Sequence, residues 1–454
     1  MTEVDRILIR RVKVLDLNIE KYLSALELNK IHLDIGKVTE VRGSLIKGFV
    51  PGASLGSICR LHPISGQKTF MSEVIGFEGK EVLLMPLGEM QGIGHGSKIV
   101  LQKSWASAHV GEALIGRVID GLGQPIDDLG EIETSKETSL YSAPENPLKR
   151  PPISKSLSLG VRAVDGLITL GQGQRIGIMA GSGVGKSVLL GMMAKQSEAD
   201  VNVIAMIGER GREVREFIEN ILGEEGLKRS VVVAATSDQN PLVRLRGAYL
   251  ANVIAENFSR QGKSVLLLMD SVTRVAMAQR EIGLNVGEPP ASKGYTPSVF
   301  SLLPKLLERA GTFEGAGSIT GLYTVLVEGD DMDDPIADAV RSIVDGHIVL
   351  DRKLAHRGHY PAIDVLRSTS RVMLSVVSEE HKVIARKFRE LMAVYAEAED
   401  LINIGAYKVG SNPTIDEAIA AHEAINNFLV QERGESIPLE DLVRYMGQLV
   451  GYEI

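Results

Sequence analysis

The run Arg175-Ile176-Gly177-Ile178-Met179, followed by Ala180-Gly181-Ser182-Gly183-Val184-Gly185-Lys186-Ser187 and an apolar stretch at 188–194, constrains this chain more than any other feature. A strand-like run, a glycine loop and a helix-like run arrive in the order a phosphate cradle needs. Glycines let backbone N–H groups curl around phosphate oxygens, and the helix N-terminus adds its dipole. A lysine in the position of Lys186 reaches the β- and γ-phosphates of a nucleotide such as ATP, and the Ser187 hydroxyl can ligate Mg²⁺. Gly181, Ser182, Gly183, Val184, Gly185, Lys186, Ser187 and Val188 are therefore the expected nucleotide contacts. The first motif position is Ala180 rather than glycine, which is tolerated where φ stays negative. A glycine turn with a solvated lysine is the alternative, and the strand-loop-helix context argues against it.

A loop of this kind belongs at the carboxyl end of a strand in a parallel sheet, so the expected fold class is α/β with a P-loop (RecA-like) parallel-sheet core. Strand-like runs at 175–179, 201–207, 230–235, 264–269, 319–327 and 347–350 alternate with helical ones, as that fold requires. Short alternating apolar runs separated by glycines fill 35–101 and read as a small antiparallel β-barrel. Past residue 377 the pattern is helical, at 379–401, 415–431 and 439–450. At the other end, Val4, Ile7, Leu8, Leu15, Ile19, Tyr22, Leu23 and Leu26 recur at helical spacing between charged residues. The expected domains are an N-terminal amphipathic helix at 1–28, a barrel at 29–100, a P-loop core at 101–377 and a C-terminal helical domain at 378–454.

Charge and composition narrow the partners. The formal net charge is -8, which gives no overall electrostatic reason to bind nucleic acid. Aromatic residues are 4% of the chain and Trp105 is its one tryptophan, so platforms for stacking bases are scarce. The single cysteine, Cys59, lies in an apolar stretch and should pack as a small hydrophobe, which fits a reducing cytosol. Charged residues interrupt the N-terminus, which therefore does not read as a secretory signal. No run of 18 apolar residues occurs, so any membrane association is expected to be peripheral.

Three further positions carry candidate chemistry. Asp270 follows the apolar run 264–269, where a carboxylate can hold magnesium through water; capping the helix that begins at Ser271 is its other use. Glu209 follows the run 201–207, where a carboxylate can orient and polarise an attacking water. Loop glutamates are often merely solvated, and the residues alone leave Glu209 open. Arg210 or Arg274 could add positive charge to the site or form surface ion pairs. Arg371 lies far along the chain from the glycine loop; it has either a structural role or that of an arginine finger supplied by a neighbouring subunit.

Taken together, Gly-Ser-Gly-Val-Gly-Lys-Ser at 181–187, Gly-Glu-Arg-Gly-Arg-Glu at 208–213, Leu-Leu-Leu-Met-Asp-Ser-Val-Thr-Arg at 266–274 and His-Tyr-Pro-Ala-Ile-Asp-Val-Leu-Arg-Ser-Thr-Ser-Arg at 359–371 resemble the rotary-ATPase catalytic subunit superfamily. Within it the chain is most similar to the flagellar type III export ATPases, through the segments at 84–88, 117–123 and 395–406. The resemblance implies ATP and Mg²⁺ as ligands, Glu209 as the carboxylate that activates water, Lys186 and Ser187 on phosphate and metal, Asp270 on magnesium, Arg371 as the finger and Tyr360 against the adenine. It implies a homohexamer with nucleotide at subunit interfaces, a stator-like negative regulator on the N-terminal helix and a central coiled-coil stalk protein entering through the C-terminal domains. It also implies cytoplasmic work at the inner face of the membrane, where export substrates are released from chaperones and fed to an export gate. An injectisome ATPase is the near alternative; a rotary synthase subunit, a hexameric RNA helicase and a nucleotide-binding module without hydrolysis are further ones.

Overall fold

The computed structural model describes residues 35–452 apart from 65, 67, 135, 328, 330 and 332. The amphipathic helix expected at 1–28 lies outside the described residues. Two compact units divide at residues 85–106, with 86–89 going to the second.

In the first unit, Ile35–Arg42, Leu45–Phe49, Ile58–His62, Phe70–Glu78, Glu81–Pro86 and Lys98–Lys103 form a closed barrel whose circular order is first, second, fifth, fourth, third, sixth. Period-two alternation sets its first strand: Gly36 and Val38 point inward, Ile35, Lys37 and Thr39 outward. Val38, Ile46, Cys59, Leu61, Leu84 and Ile99 fill the interior. Burial pushes the Cys59 thiol up to about 12, so it packs as a neutral hydrophobe. The last barrel strand runs past residue 100, to Lys103.

The second unit is built on a nine-stranded sheet. Across it run Ile363–Ser370, Gly346–Leu350, Arg175–Ala180, Ser318–Leu326, Ser264–Asp270, Val201–Ile207, Ser230–Ala235 and Val118–Asp120, with Gly311–Thr312 beside Ser318–Leu326. Neighbours from Gly346–Leu350 to Val118–Asp120 are parallel, and only the Ile363–Ser370 edge of that path is antiparallel. Every residue of Val201–Ile207 is buried, as the unbroken apolar run of a covered parallel strand demands. Three members of the sheet, Val118–Asp120, Gly311–Thr312 and Ile363–Ser370, were not among the expected strands.

Parallel register places the carboxyl ends at one edge. Ala180 lies opposite Leu326 and Leu350, Met206 opposite Asp270, and Ile207 opposite Ala235. The glycine loop, Glu209 and Asp270, far apart in sequence, therefore emerge side by side.

The C-terminal helices Glu379–Asn403, Pro413–Leu429 and Leu439–Leu449 share one apolar core with the sheet: Phe388, Phe428, Leu442 and Met446 join the cluster that holds Ile176 and Leu266. The Phe388 and Phe428 rings sit 5.2 Å apart, and Phe428 and Tyr445 5.6 Å apart. Burying each phenylalanine contributes about 2 kcal/mol. Asn412 starts the second of these helices by accepting a hydrogen bond from Thr414 N, with Pro413 at its first position.

Candidate active site

Gly183 and Gly185 take φ of 79° and 86°, left-handed values that glycine adopts without strain. They turn the chain from the Arg175–Ala180 strand into the helix Lys186–Gln196, whose start carries no side-chain cap. The first backbone N–H groups of that helix are thus left for an anionic ligand. Against this loop lies Tyr360: a Cβ added to Gly185 would stand 3.3 Å from two of its ring carbons. Tyr360 keeps 44% of its surface exposed, so one part of the ring is available to something else.

Facing the loop are two carboxylates and one ammonium. Lys186 Nζ is ion-paired with Asp270 and stands 3.6 Å from Glu209 Oε1. Asp270 is buried and also accepts a hydrogen bond of 2.8 Å from Thr324 Oγ1. Glu209 Oε1 is buried without a hydrogen-bond partner among the described residues. Burial pushes the Glu209 carboxyl up, the Lys186 charge pulls it down and the Asp270 charge pushes it up again, leaving it at about 7. Such a group is poised to exchange protons at neutral pH.

Gly208, with φ of 73°, makes the turn that brings Glu209 out of its strand, and a Cβ there would meet the Arg274 side chain at 2.7 Å. Arg274 lines the same cleft with its Nε buried and unpartnered. Arg210 lines it too, mostly exposed and 3.8 Å from Glu213. The cleft measures ≈ 830 Å³, within the size range of small-molecule sites. The carboxylates of Glu209 and Asp270 outnumber the one ammonium between them, and the buried Glu209 Oε1 accepts no hydrogen bond among the described residues. That imbalance, beside the Ser187 hydroxyl in the first turn of the helix, fits a divalent cation carried in with phosphates.

Arg371 is not brought to this cleft. It is exposed, and its backbone N–H donates to Asp345 O at 2.9 Å. Asp345 N in turn donates to Arg175 O, at the first residue of the strand whose far end is Ala180. The two ends of that strand are about 16 Å apart at ~3.3 Å per residue. Within one chain, Arg371 and the glycine loop occupy opposite ends of the sheet.

Two contributors escaped the sequence. Thr324 is a lone hydroxyl in a buried strand, and its bond to Asp270 depends on the pairing of strands 264–270 and 318–326. Arg352 lines the cleft just after the carboxyl end of Gly346–Leu350; the strand-end rule that singled out Asp270 also picks out this position.

Residues 160–370 match the family model for the ATP synthase alpha/beta family, nucleotide-binding domain, and 377–448 match that for the T3SS EscN ATPase C-terminal domain. The chain is 52% identical over 436 residues to the Flagellum-specific ATP synthase of Bacillus subtilis (strain 168), covering 96% of this chain and 99% of that protein. It is 48% identical over 418 residues to the Type 3 secretion system ATPase of Xanthomonas euvesicatoria, covering 92% and 94%. Among solved structures, the assembled ATPase EscN from the enteropathogenic E. coli type III secretion system superposes with a TM-score of 0.87 at 46% identity, over 91% of this chain and 100% of that one. EscN in complex with its central stalk EscO gives a TM-score of 0.85 over the same shares of the two chains.

Proposed function

The chain belongs to the family of flagellum-specific ATP synthases and type III secretion system ATPases, and from that premise we propose that it hydrolyses ATP, as a homohexamer, to energise flagellar protein export. The observation that carries the reading is the placement of Lys186, Asp270 and Glu209 at one end of the sheet and Arg371 at the other. A ring of identical chains can close each site with the arginine of the next.

In this reading the loop N–H groups and Lys186 hold the β- and γ-phosphates, and freeing Lys186 from Asp270 accompanies binding. Ser187 and Asp270 would hold Mg²⁺, which supplies positive charge to the phosphoryl oxygens. Glu209, deprotonated, orients and polarises the attacking water. Tyr360 offers its exposed ring surface to the adenine. Arg210 faces the phosphates from the loop beside Glu209, and the neighbour's Arg371 stabilises charge on the transferring group.

EscN is found in complex with its central stalk EscO, and here a coiled-coil stalk protein would enter the ring through the C-terminal helices. The N-terminal helix would dock a stator-like negative regulator. The protein would work in the cytoplasm, peripherally at the inner face of the membrane, releasing substrates from chaperones to the export gate. No helix among the described residues is long and apolar enough to cross a membrane.

The test replaces the chromosomal copy with a Glu209→Gln variant and measures flagellar subunits in the culture supernatant alongside motility. Loss of both with normal protein levels supports the reading. Unchanged motility with loss of injected effectors would favour the injectisome role, for which the 48% identity to a Type 3 secretion system ATPase is the specific support.

A further inference from the structure

The amino-terminal end of the sheet contains an ordered set of partly buried hydrogen bonds around Arg371 that nucleotide chemistry in the same chain does not use. Gln174, fully buried, directly precedes the strand that leads to the glycine loop. Its Nε2 donates to Asp345 O and to Ser370 Oγ, each at 3.0 Å, and its Oε1 accepts from Gly171 N at 2.9 Å. Asp345 O receives the Arg371 backbone N–H as well. The Asp345 carboxylate is fixed by Arg175, through the backbone N–H at 3.1 Å and the guanidinium at 3.0 and 3.2 Å. Ser370 Oγ donates to Thr169 O at 2.9 Å and accepts from Met373 N at 3.2 Å. Ser370, directly before Arg371, and Asp345 O, which accepts the Arg371 N–H, are thus both tied to one buried amide.

We propose that Gln174 is a positioning residue for Arg371: through Asp345 O and Ser370 Oγ it fixes the arginine backbone to the start of its own P-loop strand, so that the guanidinium is presented to the active site of the next subunit. The proposal rests on the reading of Arg371 as a finger acting in trans. The physical case is that a long, exposed side chain can meet a developing charge reproducibly only if its backbone does not move, and four polar contacts converging on two adjacent residues provide that. Gln174 is well suited because its amide both donates and accepts, and the residue is fully buried, which limits competition from water. A second consequence follows: the finger of each chain is fixed to the strand that carries that chain's own phosphate loop, so a shift of that strand displaces the finger at the neighbouring site.

Complementation between variants tests this in the full-length protein. A Gln174→Ala chain keeps its P-loop and loses the fixed arginine; a Lys186→Ala chain has the reverse defect. Alone, Gln174→Ala should lose about 10²-fold in kcat, the size expected for misplacing a catalytic group by about 1 Å, with nucleotide affinity and ring assembly within about twofold of wild type. Mixed at equal amounts and reassembled, the two should recover activity that neither has alone, up to about a quarter of wild type when subunits mix at random around a ring. Gln174→Ala mixed with Arg371→Ala should stay inactive, since both lack a placed finger. Ser370→Ala, a smaller change, should repeat the pattern and stands in if Gln174→Ala does not fold. If Arg371→Ala complements Lys186→Ala and Gln174→Ala and Ser370→Ala do not, these residues serve their own P-loop and the proposal fails while the finger reading stands. If Arg371→Ala does not complement Lys186→Ala, the finger reading fails first and takes the proposal with it.

Discussion

The two ends of the central sheet are built in opposite ways. At the carboxyl end, charges converge: Glu209 and Asp270 share Lys186, Glu209 Oε1 accepts no hydrogen bond among the described residues, and a cleft lies open beside them. At the amino end Gln174, Asp345 and Ser370 are hydrogen-bonded into one set around the Arg371 backbone, and the arginine itself is exposed. One end gathers an excess of acidic groups beside a cleft; the other ties a backbone down and presents a cation. The pairing makes sense when the two ends of different copies meet, since an unsatisfied acidic cluster loaded with phosphates and a fixed guanidinium are complementary.

Variants that attack each end separately should behave differently, and the largest effect belongs to the amino end. Arg371→Ala is expected to lower kcat by about 10³-fold, at the low end of what arginine fingers supply, while equilibrium binding of nucleotide, followed by fluorescence of a labelled ADP, stays near wild type. A matching loss of affinity would place Arg371 in a structural role. At the carboxyl end, Glu209→Gln should cost about 10²-fold in kcat with binding kept, measured by steady-state phosphate release, as general-base contributions of this kind do.

A pH profile sharpens the contrast. The Glu209 carboxyl sits at about 7, above its ordinary value, and in the proposed mechanism acts deprotonated, so kcat/KM should be low in acid, rise through about pH 7 and level off above. The sign for stability is the reverse: a carboxyl held above its unfolded value favours the fold most at low pH and loses that contribution as pH rises through about 7. Glu209→Gln should flatten the kcat/KM profile; an unchanged profile would assign the titration to another group. Smaller still, Tyr360→Ala should raise KM about fivefold with kcat nearly kept, as the loss of one aromatic contact predicts. Arg210, exposed and 3.8 Å from Glu213, should be the mildest, with Arg210→Ala changing kcat/KM by less than about threefold.

The two ends also differ in how far the sequence disclosed them. Lys186, Ser187, Asp270 and Glu209 each follow a local rule, a carboxylate or glycine loop at the end of an apolar run, and parallel register does the rest by lining up strand ends. The amino end follows no local rule. Ile363–Ser370 does not alternate cleanly, its burial changing midway where a register shift interrupts pairing with Gly346–Leu350, and it was not expected as a strand. The bonds from Gln174 to Asp345 and Ser370 span 171 and 196 residues. Val118–Asp120 escaped because three residues are too few for periodicity to register. Tyr360 came only from resemblance; its place over Gly185 depends on a chain separation that no spacing argument bridges.

The most direct test of the shared site is specific ATPase activity against protein concentration, for wild type and Arg371→Ala, with ring size followed by light scattering in the same samples. Activity per chain that rises as rings form in wild type, and stays flat and low in Arg371→Ala at equal assembly, is the predicted result. Activity independent of concentration and unaffected by Arg371→Ala would show that each chain completes its own site, and would contradict the account.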